Sequence, residues 1–588
     1  MPEFQHGVRQ MNHAHNRRAF VARAAALAAA GSGAGLTSEA MAKSMAQESD
    51  QPDFSDEATP MNSSVREKVN EATLEEAEKL AGISFTQTER KQMLRTIDEQ
   101  RSMIQRRIAM GPLPNQLPPA ELFRAELPGV ALDPATTTGD PWEHLPDPGP
   151  CPLESIELAY APVWKLGQWL KRRELSSVQL TELSLQRLRE ADPLLNCVVS
   201  LTEDRAMKQA RQADEQLRAG TWRGPLHGIP WGAKDLIDAR DTRTTWGASP
   251  YRERVATEDA HVVRALDEAG AVLVAKLAVG ALAYGDIWFG GTCKNPFDTN
   301  QGSSGSSAGS ASATAAGLVP FTLGTETYGS IVSPCDRCGA TGLRPTFGRV
   351  ARNGVMALCW SMDKIGPITR SVLDTALVLK AINGADPADP CSVSEPFHFD
   401  SRESARGLRV AFDPSWFDGD DRVLETLRRA KVELVPTEMP KIDTSPLLIP
   451  LFAESSACFE ELTRSGADDA LSWQEDRAWP NTFRQSWFIP AVELVQASRV
   501  RRQVMETMES FMNDRFDAIV CPPFTELLLI TNATGHPSVV LRRGFTAEGR
   551  PESVTLIGRL FDEGTLCRLG RALEDGLDAE ARRPEQFS

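Results

Sequence analysis

Three short stretches of this chain carry residue types that could do chemistry together. In Gly228-Ile229-Pro230-Trp231-Gly232-Ala233-Lys234-Asp235-Leu236 a lysine sits among apolar and glycine residues, outside any charged run. Burial strips solvation from an ammonium and lowers its pKa, so a lysine placed this way can act as a neutral base. Taken alone, the segment reads equally well as a surface lysine paired with Asp235. The second stretch, Gly302-Ser303-Ser304-Gly305-Ser306-Ser307-Ala308-Gly309-Ser310, has the composition of a flexible linker. It runs directly into a helix-forming segment, Ala311 to Val319, and a loop at a helix start offers N–H groups and hydroxyls to a polar centre. The third is Gly324-Thr325-Glu326-Thr327-Tyr328-Gly329-Ser330-Ile331-Val332-Ser333-Pro334. Its small residues let the backbone turn tightly, so several N–H groups can converge ahead of Ser330, as an oxyanion hole requires. By itself it is an ordinary turn at a strand end.

The elements that must position these stretches alternate between helix and strand. Ser176 and Gln179 form a capping-box pattern ahead of Val178, Leu180, Leu185 and Leu188 at helical spacing. Asn196 to Leu201 reads as a strand. The spacing predicts a helix over Asp259 to Ala269, a stop at Gly270 and a buried strand at Ala271 to Ala275. This alternation gives an α/β class for a main body over residues 151–588. Residues 439–513 are more helical and less regular, which suggests a cap or insertion over the core. Ahead of the body, Glu67 to Met110 has helical composition and no proline until Pro112, Pro114, Pro118 and Pro119 break it. With the proline-rich connector Pro141 to Pro152, residues 64–150 read as a helical arm, and the sequence assigns it no chemistry.

The first 42 residues read as an address. Asn16-Arg17-Arg18-Ala19-Phe20 opens a mildly apolar run from Ala24 to Gly35, and Ala40-Met41-Ala42 offers a small-residue cleavage site. Together they resemble a twin-arginine export signal, with Met11 a second candidate start. The expectation is an exported, periplasmic protein, or a cytoplasmic one if the arginine pair is accidental. Gly31 to Gly35 lacks the preceding strand of a phosphate loop. Residues 43–63 are polar, acidic and proline-containing, a disordered linker by composition.

Bulk properties narrow the partners. The 588 residues carry a net charge of -16, so nucleic acid is not the expected partner. No apolar run approaches the ~20 residues of a membrane span. Ten cysteines in so long a chain are not a disulfide framework, and Cys335 and Cys338 lack a second pair or spaced histidines for zinc. No metal or cofactor is expected.

The three stretches together resemble the amidase signature family. The match includes the segment ending Gly232-Ala233-Lys234-Asp235, the Gly-Ser loop, and the Gly-Thr-acid-Thr-x-Gly-Ser turn, with Ser330 lying 24 residues after Ser306. Cys338-Gly339-Ala340-Thr341-Gly342-Leu343-Arg344-Pro345-Thr346-Phe347-Gly348-Arg349-Val350 and Met362-Asp363-Lys364-Ile365-Gly366-Pro367-Ile368-Thr369-Arg370-Ser371 resemble the family's continuation. Asn532-Ala533-Thr534-Gly535-His536-Pro537 and Gly558-Arg559-Leu560-Phe561-Asp562-Glu563 resemble its closing motifs, so the likeness spans roughly Leu153 to Asp575. The resemblance implies a large mixed sheet covered by helices and a small-molecule amide substrate. It also implies a catalytic set of Lys234, Ser306 and Ser330, with a cis peptide before Ser306. Ser330 would attack the carbonyl, Ser306 would relay the proton, Lys234 would be the base, and the amides of Thr327, Tyr328, Gly329 and Ser330 would hold the oxyanion. A homodimer is left open as the assembly.

Two departures stand out. Tyr328 replaces a usual glycine, which would fail if that position needed a glycine-only backbone. Val332 replaces a usual arginine, so the pairing of Glu326 with an arginine is expected to be lost. Other motifs are weaker. Gly305-Ser306-Ser307-Ala308-Gly309 fits a nucleophile elbow, but Asn295 to Gln301 does not read as the strand it needs, and His398 and His536 lack supporting signatures. Ser361-Met362-Asp363-Lys364 fits S-x-x-K without its companion motifs. Within the fold, the rival function is the ammonia-supplying component of a tRNA amidotransferase, which the export signal and the arm oppose. A non-catalytic scaffold would be favoured by loss of the lysine or a serine, and all three are present.

Overall fold

Runs of small and β-branched residues build one sheet through the centre of the computed structural model, which describes residues 68–98, 101, 105–106, 109–119, 121–128, 139–417, 422–513, 515–577 and 582–588. The export-signal, Gly31–Gly35 and linker readings lie outside these residues. The strands are β1 (Val198–Leu201), β2 (Pro230–Lys234), β3 (Val272–Leu277), β4 (Phe321–Glu326), β5 (Thr341–Arg344), β6 (Lys364–Thr369), β7 (Arg409–Phe412), β8 (Glu433–Pro436), β9 (Ala518–Cys521), β10 (Ser538–Phe545) and β11 (Pro551–Gly558). Their order across the sheet is β1-β3-β2-β4-β6-β5-β10-β11-β9-β7-β8. β2 runs parallel to β3 and β4, and β7 runs parallel to β8 and β9. The remaining neighbours are antiparallel, so the sheet is mixed.

Every residue of β2 to β6 is buried, so these strands read as near-continuous apolar or small runs without an alternating pattern, as strands covered on both faces do. The helix Ser177–Leu195 starts with the reciprocal Ser176–Gln179 cap that the sequence predicts. Helix His261–Glu268 passes through Gly270 into β3, which continues two residues further than the sequence reading, to Leu277. The alanine-rich helix spans Ala308–Ala315, earlier than expected, and all eight of its residues are buried.

Two regions differ from a plain reading of the sequence. The helical composition of 67–110 does not produce one long helix. Glu71–Ala81 ends at Gly82, and a new helix, Gln87–Met93, starts on its own Thr86 cap. The arm from Asn70 onward belongs to the same compact unit as the body, Asn70–Ser588. Lys294–Asn295 and Asp298–Gly302 form a two-stranded ribbon where the sequence gives no strand, separate from the central sheet. Between residues 439 and 513 the chain is mainly helical: Leu448–Cys458, Glu460–Ser465, Trp479–Ser486 and the 22-residue Ala491–Met512. Among the described residues no helix is long and apolar enough to cross a membrane.

Candidate active site

β2 and β4 end beside the start of β6. Ala233 lies opposite Leu323 in the parallel register of β2 and β4, and Lys364 lies opposite Glu326 in the antiparallel register of β6 and β4. This brings the C-terminal ends of β2 and β4 beside the start of β6, the edge of an α/β sheet where ligands usually bind. Lys234 is the last residue of β2 and is fully buried. The surface-lysine reading is therefore wrong for Lys234, and Asp235 has a different partner. Asp235 is paired 3.1 Å away with Lys276 of β3, both wholly buried, and it also accepts from the Thr245 backbone N–H and hydroxyl. Burial pushes the Asp235 carboxyl up and the Lys276 ammonium down, each opposed by the charge of the other.

The amine of Lys234 reaches Ser306 Oγ at 2.9 Å, Ser307 Oγ at 3.1 Å, Thr325 Oγ1 at 2.8 Å and the Thr325 carbonyl at 3.3 Å. None of these partners is charged. Loss of solvation carries its pKa well below the usual lysine value, only partly opposed by the negative charges of Asp363 and Glu326. A neutral amine, which a base must be, is favoured here.

The Gly-Ser loop is fixed against the turn that follows β4. Ser307 N–H donates to the Ser330 carbonyl at 3.2 Å, the Ser304 and Ser333 hydroxyls lie 2.6 Å apart, and Ser304 N–H donates to Asp286. The Gly305–Ser306 peptide is cis. A Cβ on Gly305 would lie 1.8 Å from the Gly285 carbonyl oxygen, so only glycine permits this approach. The structure thus brings Lys234 and Ser306 into direct contact and sets Ser330 beside the loop. The Ser330 hydroxyl itself makes no hydrogen bond among the described residues. Catalytic hydrogen bonds commonly tighten only when substrate arrives.

The turn Thr327–Ser330 is held at both ends. Thr327 Oγ1 donates to Asp363 Oδ1 at 2.5 Å, and Asp363 Oδ2 accepts from the amides of Leu358 and Cys359. Beyond the turn, Glu326 Oε2 accepts the N–H groups of Ile331 and Val332 at 2.8 and 3.0 Å. The amides of Tyr328, Gly329 and Ser330 have no protein acceptor among the described residues, which leaves three donors for a developing oxyanion. The left-handed backbone falls on Gly329 (φ 83) and not on Tyr328, so tyrosine is tolerated there.

The expected loss of an arginine for Glu326 does not occur. Arg344, at the end of β5, reaches it at 2.8 Å, both side chains being buried, and Asn532 Nδ2 donates to the same oxygen at 2.8 Å. Burial pushes the Glu326 carboxyl up, but Arg344 and the amide donors outweigh it and hold its pKa at about 2. Sequence reasoning did not single out Arg344, Asn532, Thr325 or Ser307, although all four lie inside the motifs that carry the resemblance. Lys276 carried the same signal as Lys234, a lone lysine in an apolar run.

The rival motifs are occupied with structural work. Ser307, the serine of the elbow pattern, bonds the Thr325 carbonyl and Lys234. The His536 ring is buried against the Thr534 hydroxyl, and burial, then the charge of Arg344, brings its pKa down to about 4. Ser361 is bonded to Glu454 and Arg501. Cys335 and Cys338 are buried free thiols of helix Val332–Cys338.

Comparison with known proteins gives the chain a family. The family model described as Amidase matches residues 179–567. The chain belongs to the amidase family. It is 32% identical over 484 residues to a glutamyl-tRNA(Gln) amidotransferase component of Chloroflexus aggregans, an alignment covering 73% of this chain and 99% of the relative. It is also 32% identical over 469 residues to the putative amidase AmiD of Mycobacterium tuberculosis, covering 74% and 97%. Among solved structures, the native peptide amidase from Stenotrophomonas maltophilia superposes with a TM-score of 0.65 at 29% identity, covering 74% of this chain and all of that one. This amidase is accordingly a hydrolase of carbon–nitrogen bonds on the amidase signature fold.

Proposed function

We propose that this amidase hydrolyses a small carboxylic amide, non-peptide or peptide-like, through an acyl-enzyme on Ser330. The reading is carried by the 2.9 Å hydrogen bond from Lys234 Nζ to Ser306 Oγ in a site where the lysine has no charged partner within hydrogen-bond reach. As Ser330 Oγ bonds to the carbonyl carbon, its proton passes to Ser306 Oγ while the Ser306 proton passes to neutral Lys234. The amides of the Thr327–Ser330 turn stabilise the oxyanion. Collapse breaks the C–N bond, and the proton returns along the same path to the departing nitrogen. Water then adds to the acyl carbon, its proton passing through Ser306 to Lys234, and the Ser330 Oγ–C bond breaks as that proton returns to Ser330 Oγ, releasing the acid. Removing one oxyanion donor in such a site typically costs about 3–4 kcal/mol of barrier. A fluorophosphonate probe should label the wild type at Ser330, and Ser330→Ala should not label. Wild-type protein that neither labels nor cleaves any of a broad panel of amides and esters would leave only a scaffold that keeps the fold.

A second reading is favoured by one observation, the 32% identity to a component of glutamyl-tRNA(Gln) amidotransferase. On that reading the isolated chain would release ammonia from glutamine, and the acceptor step would need a partner. Glutamine turnover exceeding that of every other amide tested would select it. Export rests on Arg17, Arg18 and the Ala40–Ala42 site. A reporter fused after Ala42 should reach the periplasm only while the arginine pair is intact.

A further inference from the structure

An open cleft lies beside the site, and two of the residues lining it come from the arm. Thr325 and Thr327 line it from the site, Met356 and Leu358 from the loop before β6, and Gln116 and Pro118 from the arm. Thr325 holds Lys234, and Thr327 is the first residue of the turn that leads to Ser330, so the cleft adjoins the site through these two threonines. The amine that leaves must face Ser306, because its proton arrives from there. No residue of the Gly-Ser loop lines the cleft, so it is the acyl part of the substrate that the cleft can hold.

The arm is fastened where it meets the cleft. The Asn115 side chain grips the backbone of Ala357 on both groups, accepting from its N–H at 2.8 Å and donating to its carbonyl at 3.0 Å. Asn115 Nδ2 also donates to the Cys458 carbonyl, and the indole N–H of Trp360, another lining residue, donates to the Asn115 carbonyl at 3.1 Å. Further along, Phe123 meets Phe347 edge-on at 4.9 Å and lies 3.5 Å under the Arg501 guanidinium. Gln116 and Pro118 are thus held between two anchors. They also precede residue 179, where the family match begins, so this wall comes from sequence outside that match.

We infer that the Asn115–Pro118 segment is a wall of the acyl pocket and sets the largest acyl group this amidase accepts, an apolar chain lying along Leu236, Val355, Met356 and Leu358, with the charged Arg352, Asp363, Lys364 and Asp389 on the rest of the lining. The inference rests on the acyl-enzyme reading above. It is tested with p-nitroanilides of unbranched acyl chains from two to twelve carbons, and with acetyl amides of amines of matching lengths. Gln116 is exposed and its side-chain amide donates to Asp238 Oδ2 at 3.4 Å, so a change there removes one long hydrogen bond and leaves the Arg254–Asp238 pair in place. Gln116→Gly should move the best acyl chain longer, with about a fourfold gain in kcat/KM for each further methylene that becomes buried. Gln116→Trp should move it shorter. Asn115→Ala, which releases the grip on Ala357, should broaden the acyl profile. The order of preference in the amine series should stay as in wild type. An unchanged acyl profile, a shift in the amine series instead, or an equal loss on every substrate would overturn the inference. Binding of the matching free carboxylic acids to Ser330→Ala, followed by calorimetry, separates the two readings. If nothing is hydrolysed yet the Gln116 variants still shift the preferred acid length, the wall stands and the acyl-enzyme falls. If acids bind with no shift, the wall falls by itself.

Discussion

Replacing Glu326 by glutamine should loosen the Thr327–Ser330 turn while changing the side chain's shape very little. All four partners of the Glu326 carboxylate are donors: the N–H groups of Ile331 and Val332 on one oxygen, Arg344 and Asn532 on the other. Glutamine turns one acceptor into an NH2 that must face donors, and it leaves the Arg344 guanidinium buried without its counter-charge. The carboxyl has an ordinary value of 4.5 and is held at about 2 in the folded protein. That difference corresponds to about 3 kcal/mol of folding stability, in line with about 3–5 kcal/mol for breaking a buried pair. Because the folded value is the lower one, this stabilisation is complete above about pH 4.5 and drains as pH falls towards 2. About 2 kcal/mol of it should be gone by pH 3. The assay is urea unfolding of wild type and Glu326→Gln at pH 6, 5, 4 and 3, with labelling of Ser330 followed in parallel. The variant should start about 3 kcal/mol lower, the two stabilities should converge as pH falls, and its labelling should slow because Ile331 and Val332 directly follow Ser330. Stabilities that stay equally far apart from pH 6 to 3, or unchanged labelling, would refute the argument.

Lys234→Ala should lose more activity on amides than on matched esters, within about 10²–10⁴-fold for a base, because an amine must leave with a proton; equal losses would count against the proton relay. Lys234→Arg should be as inactive, since a guanidinium stays charged. In wild type the rising limb of kcat/KM against pH should fall well below 10.5, because burial favours the neutral amine. Lys276→Met should destabilise by about 3–5 kcal/mol through the stranded Asp235 carboxylate, and adding Asp235→Asn should recover part of it, read by urea unfolding. Gly329→Ala forces an alanine into φ 83 with Leu528 only 3.3 Å from the new methyl, and should slow labelling through at least about 1–2 kcal/mol of strain. Tyr328→Gly should instead leave labelling near wild type and alter KM, because that backbone needs no glycine and the side chain is 44% exposed.

By itself the sequence determined the α/β class, the family and the three residues on which the proposed chemistry depends. That information is local: a lysine in an apolar strand, a Gly-Ser loop entering a helix, and a tight turn ahead of Ser330 each leave a mark within about ten residues. It also determined the Ser176–Gln179 cap, because a capping box spans four positions. Only the tertiary structure decided what lies opposite these residues. Val332 suggested a carboxylate without its arginine, yet Arg344 comes to Glu326 from β5 across the intervening β6, a partner set by strand order. Lys234 and Lys276 look alike in sequence, but β2 ends at the hydroxyls of Ser306, Ser307 and Thr325, whereas the Lys276 side chain meets Asp235. The arm showed only helical composition and prolines. Its place against the cleft depends on Asn115 meeting Ala357 from 242 positions away, a contact made through packing that no pattern of neighbouring residues encodes.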